Sequence, residues 1–110
     1  MLQTLLSAVE RTASTEIGVE SILTLTITKA QLNEMGITTE CDLKVTGYCC
    51  HCHCDGVYFL HVPAFTIGEK TAEPKGNGCI EYGKLEEFPY EKGTQDFVQE
   101  VERMLSELKT

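Results

Sequence analysis

The chain predicts an α+β domain: a small, largely antiparallel sheet of about four strands, covered on one face by N- and C-terminal helices. Three observations carry this expectation. Residues 19–28, Val-Glu-Ser-Ile-Leu-Thr-Leu-Thr-Ile-Thr, alternate apolar and polar side chains with the period of a half-buried strand. Phe97, Val98, Val101, Met104, Leu105 and Leu108 recur at the spacing of one helical face. Asp55-Gly56 lies between strand-like runs, which is a strong hairpin signal.

The elements follow in chain order. Leu2, Leu5, Leu6, Val9 and Ala13 share a helical stripe, so a first helix is expected over 2–13, ended by Ser14-Thr15 and Gly18. The alternating run 19–28 is the first strand. Thr28 followed by Gln31 fits a capping box, and Gly36 suits a C-terminal cap. A short helix over 29–35 lies between them, with Ala30, Leu32 and Met35 inward. A second strand starts near Glu40, with Leu43 and Val45 on its buried side. Residues 57–62, Val-Tyr-Phe-Leu-His-Val, form a third strand stopped by Pro63. The stretch 68–78 reads as a polar loop, rich in turn residues at 74–78. Residues 79–82 are the fourth strand. In the last helix Thr94 is placed to cap, Asp96 to meet the positive first turn, and Lys109 the last.

A chain of 110 residues suffices for one domain over 1–110 with one modest core. No apolar run is long enough to span a membrane, and the N-terminal residues lack the basic flank of a signal peptide. A cytoplasmic location, with reduced thiols, is therefore expected. A net charge of −8 argues against general nucleic-acid binding and against an anionic membrane surface. Residues 77–110 carry eight carboxylates against four bases. That acidic C-terminal region would suit a basic protein partner, or simply keep the surface solvated.

Chemistry concentrates in the run Cys49-Cys50-His51-Cys52-His53-Cys54. Every member can ligate a soft metal, and a packing role alone would scatter thiols among aliphatic residues. Zinc or copper(I) is the expected ion, with Cys49, Cys50, His51, Cys52, His53, Cys54 and His61 as candidate ligands. A two-residue turn at Asp55-Gly56 would set Cys54 opposite Val57, Cys52 opposite Phe59 and Cys50 opposite His61. Three thiols and an imidazole then share one face, while Cys49, His51 and His53 share the other with Val62, Leu60 and Tyr58.

A straight strand cannot wrap these thiols around one ion. Alternate side chains stand about 7 Å apart, whereas zinc-bound sulfurs must lie within roughly 4 Å. Either the run bends at Gly47 and Gly56, or Cys41 or Cys79 completes a smaller set. Cys-x-Cys spacing suits copper(I) as well as zinc, and paired Cys-x-x-Cys knuckles are missing. Two other roles compete. One is redox chemistry, with Cys52 and Cys54 as attacking and resolving thiols. The other is an acidic, non-catalytic interaction module whose cysteines merely pack. A disulfide framework is the weaker reading of six cysteines without a secretion signal, and adjacent Cys49 and Cys50 are poorly placed to bridge. A nucleophilic cysteine with His61 or His53 as base and Asp55 as orienter is disfavoured by its crowding in sequence. Gly76-Asn77-Gly78 lacks the Lys-Ser/Thr of a phosphate loop. Residues 86–91, Glu-Glu-Phe-Pro-Tyr-Glu, read as a connection anchored by its aromatics or as a docking edge.

Overall fold

The computed structural model describes residues 2–52 and 54–108, and of Leu2 and Gln3 only the backbone. Its elements run α1 (Leu2–Ser7), β1 (Val9–Ala13), β2 (Val19–Ile27), α2 (Lys29–Glu34), β3 (Leu43–Cys52), β4 (Val57–His61), β5 (Phe65–Ile67), β6 (Lys70–Ala72), β7 (Cys79–Lys84) and α3 (Tyr90–Ser106). Five strands form one antiparallel sheet in the order β1-β2-β3-β4-β7, and β5–β6 is a separate hairpin. The architecture is the α+β layering that the sequence predicts. No described helix is long and apolar enough to cross a membrane.

Strand periodicity decides which face is covered. Leu23, Leu25 and Ile27 of β2, Leu43, Val45 and Cys49 of β3, and Leu60 of β4 are buried on one side. Helix α3 lays Phe97, Val98, Val101, Met104 and Leu105 onto that side, joined by Leu5 from α1 and Leu32 from α2. Among the described residues, no helix covers the opposite face. It carries Thr24, Thr46, Tyr48, Cys50, Cys52, Val57, Phe59, His61, Cys79 and Glu81, by the alternation of the paired strands.

Local chemistry fixes several boundaries. The capping box is present: Gln31 N–H donates to Thr28 Oγ1, and Thr28 N–H donates to Gln31 Oε1 at 2.9 Å. Leu32 is the inward residue of α2, whereas Ala30 is exposed and Met35 half-buried. The helix expected over 2–13 stops at Ser7, because residues 9–13 pair with β2 from Val9↔Leu25 to Ala13↔Ser21. Tertiary pairing overrides the helical spacing there. The stretch expected as polar loop contains β6, paired with β5 across a Gly68-Glu69 turn.

The last helix begins one turn before Thr94, with Pro89 at its N-cap. Tyr90 explains the early start: its hydroxyl accepts from Ser21 Oγ at 3.0 Å, and its ring lies 4.1 Å under the Arg11 guanidinium. Thr94 is therefore an interior residue. Asp96 instead accepts from the Tyr82 hydroxyl at 2.8 Å and faces Lys92 at 3.4 Å. The expectation for Lys109 lies outside the described residues.

Candidate functional site

The Cys/His run is split by the pleat of β3. Cys49 and His51 point to the helix-covered side, while Cys50 and Cys52 point to the open side, as alternation requires. Cys54 is exposed in the turn, and His53 lies outside the described residues.

The hairpin register differs from the two-residue turn that Asp55-Gly56 suggests. Cys52 pairs with Val57, Cys50 with Phe59 and Tyr48 with His61. The connection lies between Cys52 and Val57 and is closed by a 2.7 Å bond from Gly56 N–H to the Cys52 carbonyl. Gly56, at φ 70, closes this longer loop. The slip is two residues, so every side chain keeps its face. Its consequence is that His61 moves away from Cys50 along the sheet, and Cys54 leaves it.

Each member of the run therefore meets a different environment. Cys49 is fully buried beneath α3. Desolvation pushes its thiol up to about 11, opposed by a hydrogen bond with Ser21 and by the Arg11 charge, and assisted by Cys50. Burial also raises the Cys50 thiol, as does the nearby Cys79, and its Sγ leans back to the Tyr48 carbonyl at 3.5 Å. The His51 ring stacks on Tyr58 at 4.2 Å and lies 3.7 Å from Glu20. Cys52 Sγ is 3.9 Å from Asp55 Oδ2. Among the described residues, no three His, Cys, Asp or Glu side chains stand close enough together to hold an ion.

The protonation of Cys49 gives a pH dependence with a definite sign. Its folded value of about 11 lies above the ordinary thiol value of 9.0. The unfolded chain therefore releases this proton first as pH rises. The stabilising contribution is complete below pH 9 and is lost between about pH 9 and 11, a change of roughly 2–3 kcal/mol. Urea unfolding should show this decline, and Cys49→Ala should flatten it.

A thiol–imidazole contact lies outside the run, on the open face. Cys79 Sγ of β7 is 3.6 Å from His61 Nδ1 of β4. These residues are direct cross-strand partners, and the Tyr48 ring stacks over the other side of the imidazole at 6.3 Å between centroids. The partnership depends on the 73–78 connection. Val62 N–H donates to the Gly78 carbonyl at 2.8 Å, and Cys79 N–H donates to Asn77 Oδ1 at 3.0 Å. Helix α3 braces the same loop: Glu100 accepts from Lys75 N–H at 2.8 Å, and Arg103 donates to the Glu73 carbonyl at 3.1 Å. Next to His61 a cleft of about 350 Å³ runs between Pro63, Glu73, Pro74 and Asn77.

Sequence spacing gives little access to this pair, because 18 residues separate its members. The alternation of residues 57–62 places His61 on the open face, but the partner on β7 follows only from strand order. The acidic segment 85–92 forms a separate groove of about 510 Å³, where Phe88 is buried and Leu85 exposed. Phe88 anchors this connection against Tyr82 and Tyr90, as its aromatics suggest.

Compared with protein-family models, curated proteins and solved structures, the chain matches none.

Proposed function

We propose that this domain binds a soft metal ion, zinc or copper(I), on the open face of its sheet, through His61 and Cys79. One observation supports the reading above others: the 3.6 Å separation of Cys79 Sγ and His61 Nδ1. A tetrahedral ion with bonds of about 2.3 Å to sulfur and 2.0–2.1 Å to nitrogen holds those two atoms about 3.6 Å apart. Thiolate and imidazole are also the ligand types that select these ions.

Glu81, the next residue of β7 on the same face, is exposed and stands about 7 Å along the strand from Cys79, too far to share one ion with it as the strand runs. Cys50 is an outer neighbour rather than a co-ligand. It lies two strands from Cys79, so their α-carbons are separated by at least about 9–10 Å. Two protein ligands leave coordination positions open, which suits sensing, storage or exchange better than a closed structural site. The thiol must stay reduced to serve, as it would in the cytoplasm.

Native and denatured masses of protein purified without added metal provide the test. The expected result is one zinc or copper per chain, lost in the double variant His61→Gln/Cys79→Ser and retained in Cys52→Ser/Cys54→Ser. Equal native and denatured masses, with no uptake of added zinc or copper(I), would overturn the metal reading. The acidic groove at Leu85–Lys92, offered to a basic protein segment, would then lead.

A further inference from the structure

Gly76-Asn77-Gly78 lies in the connection that sets β7 on β4, and the fold makes the pair Asn77-Gly78 obligatory. Asn77 Oδ1 accepts from Cys79 N–H at 3.0 Å, which satisfies the backbone at the start of β7. Gly78 has φ 83, and a Cβ there would lie 2.6 Å from the Val62 carbonyl oxygen and 3.1 Å from Pro74. Residues with side chains are excluded at 78 by both conformation and space. An asparagine followed by glycine is chemically labile, because no side chain shields the glycine nitrogen from the asparagine amide carbon. Asn77 is also exposed, and it lines the cleft beside Pro63, Glu73 and Pro74, where water has access.

We infer that Asn77 is a site of spontaneous deamidation, with water as the co-reactant, at a rate set by opening of the 73–78 loop. The Gly78 nitrogen gives its proton to solvent and bonds to Asn77 Cγ. The bond from Cγ to the side-chain nitrogen breaks, and that nitrogen takes a proton from solvent and leaves as ammonia. A succinimide ring remains. Water then adds across one of the two ring C–N bonds, giving aspartate by one route and isoaspartate by the other. No electrons change hands.

The closed loop holds this reaction back. Gly78 is buried, and its N–H donates to the Lys75 carbonyl at 3.0 Å, so attack waits for the turn to open. Helix α3 resists that opening. Glu100 accepts from Lys75 N–H at 2.8 Å, and Arg103 pairs with Glu100 at 2.7 Å while donating to the Glu73 carbonyl at 3.1 Å. Isoaspartate inserts an extra backbone atom immediately before Gly78, whose carbonyl takes the Val62 N–H. The modification therefore loosens the start of β7 from β4.

The experiment uses full-length protein freed of metal by chelator, kept for weeks in neutral buffer at physiological temperature and read by peptide mass spectrometry. Asn77 should convert to separable aspartate and isoaspartate peptides. The chain's other asparagine, Asn33, lies inside α2 before Glu34, and Asn77 should outpace it at least ~10-fold. Glu100→Ala should raise the Asn77 rate about 3- to 10-fold through the lost hydrogen bonds, and Arg103→Gln should act in the same direction. Continued protection of Cys49 shows that each variant is folded. Hydrogen exchange at the Val62 amide should quicken in the isoaspartate form. Comparable rates at Asn77 and Asn33 would overturn the site, and an Asn77 rate indifferent to both α3 variants would overturn its control by the loop. No metal, thiol or imidazole takes part in the reaction. Failure of metal uptake therefore leaves this inference standing, and failure of deamidation leaves the metal reading standing.

Discussion

Phe97→Ala is expected to cost about 3–5 kcal/mol, a large part of the stability of a domain this size. Phe97 is fully buried, and its ring occupies the space over Gly47 at the middle of β3. A Cβ built on Gly47 would approach two ring carbons at 2.9 Å. The glycine and the phenylalanine therefore act as one packing unit. Gly47→Ala should cost about 1–3 kcal/mol by overpacking. Combining Gly47→Ala with Phe97→Leu should cost less than the sum of the two single changes, because each relieves the other. Urea unfolding of the four proteins checks this. Strict additivity would show that the ring moves aside freely.

Gly78→Ala is the second large effect, and it reaches the site. Gly78 has φ 83, and a Cβ there would lie 2.6 Å from the Val62 carbonyl oxygen. The left-handed conformation alone costs an alanine about 1–2 kcal/mol. The clash adds to that at the residue whose carbonyl takes the Val62 N–H and sets β7 on β4. A total near 3 kcal/mol is expected, together with loss of metal uptake as Cys79 is displaced from His61. Gly76→Ala is the control: its φ is also positive, at 56, but nothing lies within 4 Å of the added carbon. It should pay the conformational cost and keep the site. Equal destabilisation of the two variants would remove the clash from the account.

Much of this fold is legible where interactions are local. The Thr28–Gln31 box, the alternation of residues 19–27 and the stripe from Phe97 to Leu108 each follow from neighbours within a few positions. Residues 9–13 mislead because Val9 and Ala13 satisfy a helical spacing, and only their pairing with Leu25 and Ser21 makes them a strand. Helix α3 is recognisable, but its start is not. Gly93 looks like a poor helix residue, yet a Cβ there would approach the Phe88 ring at 2.6 Å, so close packing demands glycine.

The candidate site divides in the same way. The two faces of the 49–54 run can be read from period two, and a register error of two residues leaves them unchanged. The loop length, and with it the partner of His61, depends on how the chain closes between Cys52 and Val57. The contact between His61 and Cys79 depends on β7 joining β4 rather than another edge, a choice made by the whole sheet.

The pleat that sends Cys49 and Cys50 to opposite sides of β3 also places a built-in clock in the molecule. Cys49 sits at 0% exposure under α3, paired to β2 at Ser21 and to β4 at Leu60. A thiol reagent meets it only after the central strands have parted, so the rate of its labelling measures how often the sheet opens completely. Cys41 and Cys54, exposed at all times, supply the rate of unhindered reaction in the same sample. The ratio of the two rates gives the free energy of global opening in plain buffer, without denaturant and without an introduced probe.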